Sequence, residues 1–411
     1  MATPVGDSYA VASGGVIAAG RNFLPSWIPA PGQLKSVHLN SLSSINPCPG
    51  DACWYSGSAK QNGPWVNWTG AVFSPDYSPL GAMVYWGGGH GGYDGTEYSI
   101  FDLTTRSWSR VGAQIPEVFT PDSTWYDVLV DGSYVVQSLH TYNHPLYISP
   151  TNGGGSKGSW FLGYNVGGSG SNIQPHAVDL ATGISTRFTT APSSVYLAAG
   201  PYGGAFIDTN RNVVWLMPGQ DSNQNAKIDL NNSTKTLELV SSFLNPGYYF
   251  NPVFVPEKDM MIAIWCGYGE TNIQLAGFDL SSGTPVRFAI TQGSARTAEH
   301  GPGLGMDWCP HTGKFYAYEG FGDTSLHVLT PPANWKTGTW SWSSEAMTGE
   351  LPADAGEYSG MSEWSGQQVF NKFRYNQKLR SFMWSQGTVS RQCTDGIARD
   401  GAFQLYRPIG T

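Results

Sequence analysis

The apolar positions of this chain fall into short blocks, not into long amphipathic stretches. Six times, an apolar segment, a polar turn and a second apolar segment follow one another. The blocks are GAVFSPDYSPLGAMVYWGG, GAFIDTNRNVVWLMPG, NPVFVPEKDMMIAIWCG, GLGMDWCPHTGKFYAYEG, KFRYNQKLRSFMWSQG and the looser HPLYISPTNGGGSKGSWFLG. The segments are rich in Val, Ile, Tyr, Phe and Trp and are bounded by turn formers. Each block therefore predicts a β-hairpin whose second strand ends at glycine.

A second pattern follows these hairpins. An apolar residue precedes Asp-Leu at Phe101-Asp102-Leu103, Val178-Asp179-Leu180, Ile228-Asp229-Leu230 and Phe278-Asp279-Leu280. Asp179, Asp229 and Asp279 are 50 residues apart, and a further 50 reaches LHVLTP, where Leu329 holds the Asp place. A polar turn and an aromatic come next, at Trp108, Phe188, Phe288 and Trp340. One unit thus reads as four strands, a to d, with the Asp-Leu on strand c and the aromatic on strand d. Such units repeated radially make a β-propeller. The glycines are expected to serve turns with positive φ, and the strand d aromatics to pack between neighbouring blades.

The first unit, VYWGGGHGGYDGTEYSIFDLTTRSW, resembles a kelch repeat: a hydrophobic run, Gly-Gly, Tyr, apolar-Asp and a spaced Trp. The other units match it in part. The resemblance implies an all-β, kelch-like β-propeller of six four-stranded blades over residues 65–411, with residues 1–64 as an N-terminal segment of the same domain. It leaves the chemistry open, because such propellers serve as enzymes, adaptors and binding modules. Seven blades follow if the first 60 residues or the 112–137 stretch hold a degraded one. The last unit lacks its fourth strand. Residues 32–42, GQLKSVHLNSL, can supply it, closing the ring with an N-terminal strand and removing an exposed edge.

Composition narrows the function. Only 13% of the 411 residues are charged and the net charge is −8. No Lys/Arg cluster tracks a phosphate backbone, so nucleic acid is excluded as a partner. No run of 18 apolar residues predicts a membrane span. The N-terminus lacks a basic region ahead of its broken apolar stretch, so no signal peptide is expected. Five cysteines are too few for a disulfide framework, although Cys48 and Cys53 are close enough to bridge.

In a propeller, the b–c connections and the segments entering strand a share one mouth. The b–c connections carry His90, Tyr93 and Asp94, then Gln220 and Asp221, Tyr268 and Glu270, Phe321 and Asp323, and Arg391, Asp395, Arg399 and Asp400. The entries to strand a carry His140 and Tyr142, Tyr202, Tyr248 and Tyr249, and Glu299 and His300. Of Arg374 and Tyr375 on the last strand a, alternation lets only one face the channel. The leading expectation is a non-catalytic recognition module. It would bind a surface glycan or partner protein through His90, Tyr93, Asp94, His140, Tyr142, Tyr202, Tyr248, His300 and Arg391. Export without a signal peptide suggests a virion or phage-tail protein, meeting a host glycan or other virion proteins.

The alternative is a polysaccharide lyase, since several lyases are propellers with His, Tyr and Arg at one mouth. There His90, His140, Tyr202 and Arg374 would carry β-elimination, a base taking the proton α to a uronate carboxylate that a cation neutralises. A zinc site from His90, His140 and His300 with Asp94 or Cys266 has no short ligand spacing behind it, so neither metal nor cofactor is expected. Copper-radical oxidase chemistry of the galactose oxidase type needs adjacent Tyr and His ligands, and no Tyr-His pair occurs.

Overall fold

A computed structural model describes residues 24–41, 43–45, 69–86, 98–111, 128–130, 133–135, 141–162, 175–188, 203–217, 225–240, 249–267, 270–298, 303–320, 322–350, 369–385 and 401–411. Six four-stranded antiparallel blades follow one another, two of them extended by a short parallel outer strand, Thr348–Gly349 and Thr291–Gln292. Strands a to d are Ala71–Ser74, Ala82–Tyr85, Tyr98–Asp102 and Ser107–Val111 in blade 1. Blade 2 has Leu146–Ile148, Ser159–Leu162, His176–Asp179 and Ser185–Arg187, and blade 3 has Gly204–Asp208, Val213–Met217, Asn225–Asp229 and Leu237–Val240. Blade 4 has Asn251–Val255, Met260–Trp265, Gln274–Asp279 and Val286–Phe288, and blade 5 has Gly305–Cys309, Lys314–Tyr318, Ser325–Thr330 and Thr339–Ala346. Blade 6 has Arg374–Asn376, Ser381–Trp384 and Gln404–Tyr406, and its strand d is the N-terminal Gln33–Ser36, pairing Leu34 with Tyr406 and Ser36 with Gln404.

The inner strands touch in the order 1 to 6, and blade 6 returns to blade 1 through the turn Phe370–Lys372. The protein is a closed six-bladed β-propeller. Blades 1 and 2 touch through their inner strands, so no seventh blade stands between them. The hairpin Val128–Val130 with Ser133–Val135 packs instead on strand d of blade 2. Among the described residues no helix is long and apolar enough to cross a membrane.

The continuous apolar runs have a simple cause. Each blade is buried on both faces, so alternate residues of one strand enter two different seams. In strand b of blade 4, Met261 and Ala263 face blade 3, while Ile262 and Ile264 face blade 5. Six separate apolar clusters result, one per seam.

The repeated Asp proves to be a turn former. The carboxylates of Asp102, Asp179, Asp229 and Asp279 accept the backbone N–H two residues on, at 2.8, 2.7, 2.9 and 3.0 Å. The following Leu is buried in all four units. In blade 5 the pairing of Phe315 with Leu329 matches that of Met261 with Phe278. Leu329 is therefore the apolar residue of the motif and Thr330 holds the Asp place, one residue later than the 50-residue spacing places it. The left-handed residue shared by all blades ends the a–b turn, at Gly81, Gly158, Asn212, Asp259, Gly313 and Arg380, with φ between 52° and 82°. Of the glycines ending strand b, Gly320 has φ 84° as expected, whereas Gly267 is not left-handed.

Candidate functional site

The channel is sealed at one end. Tyr142, Tyr249 and Phe370 precede the strands a of blades 2, 4 and 6. Their rings lie 5.5 Å (Tyr142 to Tyr249), 5.3 Å (Tyr142 to Phe370) and 6.0 Å (Tyr249 to Phe370) apart, centroid to centroid. These blades are not neighbours, so rings that meet must meet across the channel axis. The residues are 2%, 5% and 0% exposed. All three are non-glycine residues in the left-handed region, at φ 43°, 55° and 46°. Such backbone costs an L-residue about 1–2 kcal/mol and persists only where the surroundings impose it.

The surroundings here are hydrogen bonds that lace the entries of strand a together. Asn143 Nδ2 donates to the Tyr249 carbonyl at 3.2 Å and Asn371 Nδ2 to the Pro145 carbonyl at 2.8 Å. The backbone N–H of Ala71 donates to Asn371 Oδ1 at 2.9 Å, and that of Gly70 to Thr141 Oγ1 at 2.8 Å. The N–H groups of Val369 and Phe370 both reach the Gly303 carbonyl, at 2.9 and 2.8 Å.

Beyond the plug lies a chamber of about 360 Å³. It extends to the opposite, a–b end of the ring, where Thr209 and Pro256 on its rim are exposed. One equivalent residue from every blade lines it, the third pair from the a–b turn: Val72, Leu146, Phe206, Val253, Asp307 and Arg374. The first four form a continuous apolar arc and the last two place an acid beside a base. Asp307 accepts the backbone N–H of Tyr375 on Oδ2 and that of Trp308 on Oδ1, both at 2.8 Å, which ties blade 5 to blade 6. The Arg374 guanidinium makes no hydrogen bond to any described residue. Charge alone couples the two. Burial raises the Asp307 carboxyl and lowers the Arg374 guanidinium from their ordinary values, and each charge partly offsets that shift in the other.

Alternation resolves the Arg374/Tyr375 choice: Arg374 faces the channel, while Tyr375 enters the seam with blade 5, its hydroxyl 2.9 Å from His311 Nδ1. Burial, aided by Arg380 and Arg407, lowers the His311 imidazole. Tyr142 lies in the plug rather than on an open surface. His90, Tyr93, Asp94, His140, Tyr202, Tyr248, His300 and Arg391 lie outside the described residues, as do Cys48 and Cys53.

A further polar group, not singled out from the sequence, lies in the seam of blades 4 and 5. Arg296 Nε donates to His327 Nδ1 at 2.6 Å and Nη2 donates to Ser344 Oγ at 2.9 Å. Since arginine only donates, Nδ1 carries no proton, so Nε2–H faces the Glu319 carboxylate. Glu319 and His327 are 4% and 6% exposed. Nearby Cys266 donates to the Glu270 carbonyl at 2.9 Å. Burial first, with Glu270 and Glu319 adding, pushes its thiol up to about 11, away from the thiolate a metal needs. Among the described residues no group of three or more His, Cys, Asp and Glu is placed to hold a metal ion.

Fold and channel define the class: a six-bladed β-propeller with a plugged central channel. No protein-family model matches the chain, and no curated protein matches its sequence. Several solved structures are similar in shape at very low identity. A fungal alcohol oxidase of the AA5 family, in complex with copper, shares 12% identity at a TM-score of 0.40, covering 83% of this chain and 62% of its own. The chain thus spans less than two thirds of that oxidase. A chain of a mitotic checkpoint complex shares 11% identity at 0.40, with 95% and 100% covered, and a protein described as YjhT shares 11% at 0.41, with 84% and 94% covered. At these scores the likenesses carry no argument about this chain.

Proposed function

We propose that the protein is a non-catalytic recognition module that binds a surface glycan with the loops at the plugged end of its ring. The observation carrying this reading is the plug. Strands b end and strands a begin at that end, so the b–c connections and the entries to strand a rise from a channel mouth closed by Tyr142, Tyr249 and Phe370. A sealed, hydrogen-bonded floor beneath these connections suits recognition, in which a rigid scaffold positions binding residues carried on loops. Low charge and abundant Tyr, Asn and His in those connections suit sugar hydroxyls and ring faces. Association with a particle rests on composition and is part of the proposal.

The competing elimination needs a cation beside its base. Arg374 faces the chamber on the far side of the plug from the b–c connections, which weighs against it. The test is direct. The full chain is titrated against an array of neutral and uronate-containing glycans, with absorbance of unsaturated product followed in parallel. Saturable binding without product, weakened roughly tenfold by His90→Ala or Tyr93→Ala, supports the module. Unsaturated product that disappears in His140→Ala refutes it in favour of the lyase, and the absence of binding across the array refutes the glycan.

A further inference from the structure

Asp307 ties blade 5 to blade 6 by accepting the backbone N–H of Tyr375, and that tie makes no use of Arg374. Asp307 and Arg374 are each half-buried on the chamber wall, and an acid and base there that served only the fold would gain by closing into a charge-assisted hydrogen-bonded pair. Here Asp307 holds two backbone N–H groups and Arg374 bonds no described residue. The guanidinium has five donors in a fork that matches a carboxylate, and the Asp307 oxygens keep lone pairs able to accept an ammonium. The other four equivalent positions, Val72, Leu146, Phe206 and Val253, form an apolar wall on the opposite arc.

We propose that the chamber binds a small zwitterion with an apolar body, an apolar α-amino acid, its carboxylate on Arg374, its ammonium on Asp307 and its side chain against the apolar arc. A zwitterion adds no net charge beside a pair that is already balanced, whereas a simple anion or cation leaves the chamber charged. The volume of about 360 Å³ stands near the lower end of ligand pockets, which fits an amino acid and not an oligosaccharide. Entry is from the a–b end, past Thr209 and Pro256, because the plug closes the other. This site is separate from the glycan-binding face, and the two proposals stand or fall independently.

The test uses the full chain and isothermal titration with phenylalanine and leucine as probes. Phenylacetate lacks the ammonium, phenethylamine lacks the carboxylate, and benzyl alcohol lacks both. The expected result is one site for each amino acid, with phenylacetate and phenethylamine each weaker by at least about tenfold, since a lost charge-assisted hydrogen bond costs that much or more. Arg374→Met is expected to weaken phenylalanine roughly 10- to 100-fold, and Arg374→Lys less, because it keeps the charge and loses the fork. Asp307→Asn keeps an oxygen for one backbone N–H, and it weakens phenylalanine while leaving phenylacetate unchanged or tighter. Thr209→Trp slows association without changing the preference among probes. No binding of either amino acid at millimolar concentration overturns the proposal, as does equal binding of phenylacetate and phenylalanine. Both readings come from the unsubstituted protein, so they hold even if a variant fails to fold.

Discussion

Phe370 offers a test of the plug that separates packing from backbone strain. Its ring is fully buried against Tyr142 and Tyr249, and its backbone sits at φ 46°. Phe370→Ala removes the ring and keeps a Cβ in the left-handed region. Loss of a fully buried Phe costs about 3–5 kcal/mol. Phe370→Gly removes the same ring and also relieves a left-handed cost of about 1–2 kcal/mol. Against that stands the greater freedom of glycine in the unfolded chain, about 0.5–1 kcal/mol. The Gly variant is therefore expected to be more stable than the Ala variant by about 0.5–1 kcal/mol, the reverse of the usual order. The anchors make this concrete, since the N–H groups of Val369 and Phe370 hold the turn to the Gly303 carbonyl whatever the side chain. Urea unfolding of the three proteins measures it, with equal m-values required for the comparison. An Ala variant as stable as the Gly variant, or more so, would refute the claim that the plug stores backbone strain.

Two further outcomes follow from the polar groups of the ring. His144 is fully buried and burial holds its imidazole well below 6.5. The folded state then binds fewer protons than the unfolded one, so its stability is complete above pH 6.5 and declines as pH falls below it. Between pH 7 and 5 the decline approaches about 2 kcal/mol, at up to about 1.4 kcal/mol per pH unit. Urea midpoints measured across that range are expected to flatten in His144→Phe, leaving the smaller slope of His311, which is lowered in the same direction; an unchanged profile refutes the assignment. In the seam of blades 4 and 5, His327→Leu deprives buried Glu319 of its imidazole donor, at an expected cost of about 3–5 kcal/mol. Glu319→Gln with His327→Gln is expected to cost less than the single Leu change, and denaturation of both variants decides the matter.

Much of the ring was legible in the sequence because its cause is periodic. The Asp-Leu spacing reports the c–d turn, which in four blades holds a carboxylate that accepts the N–H two residues on. The missing fourth strand of the last unit reports the closing strand, since a sheet edge left bare would seek a partner. The one-residue offset at Leu329 shows the limit of counting: the c–d turn of blade 5 keeps the strand register but replaces Asp by Thr330, so spacing alone lands on the apolar neighbour. The plug was not legible. Tyr142 reads as one more aromatic at a strand entry, and only a closed ring of six brings residues from blades 2, 4 and 6 to one axis. The chamber was half legible. Alternation stated that Arg374 or Tyr375 faces the channel, but its equivalence to Asp307 and to four apolar residues exists only in the register of six hairpins.

The plug also has a consequence for how the two ends of the channel can be related. Three strained backbones are held by side-chain amides that run from one blade entry to another, so moving one ring out requires breaking bonds to its partners. Asn143 reaches the Tyr249 carbonyl, and Asn371 reaches both the Pro145 carbonyl and the Ala71 amide. Such a network resists partial displacement, because the surviving groups would stay buried without their partners. The chamber and the face that carries the b–c connections are therefore separated by a stiff partition. With the plug intact, changes at Arg374 and changes at His90 are expected to add in their effects on stability and on either ligand, as independent sites do. Phe370→Gly, which opens the partition, is the background in which any coupling between the two ends would first be measured.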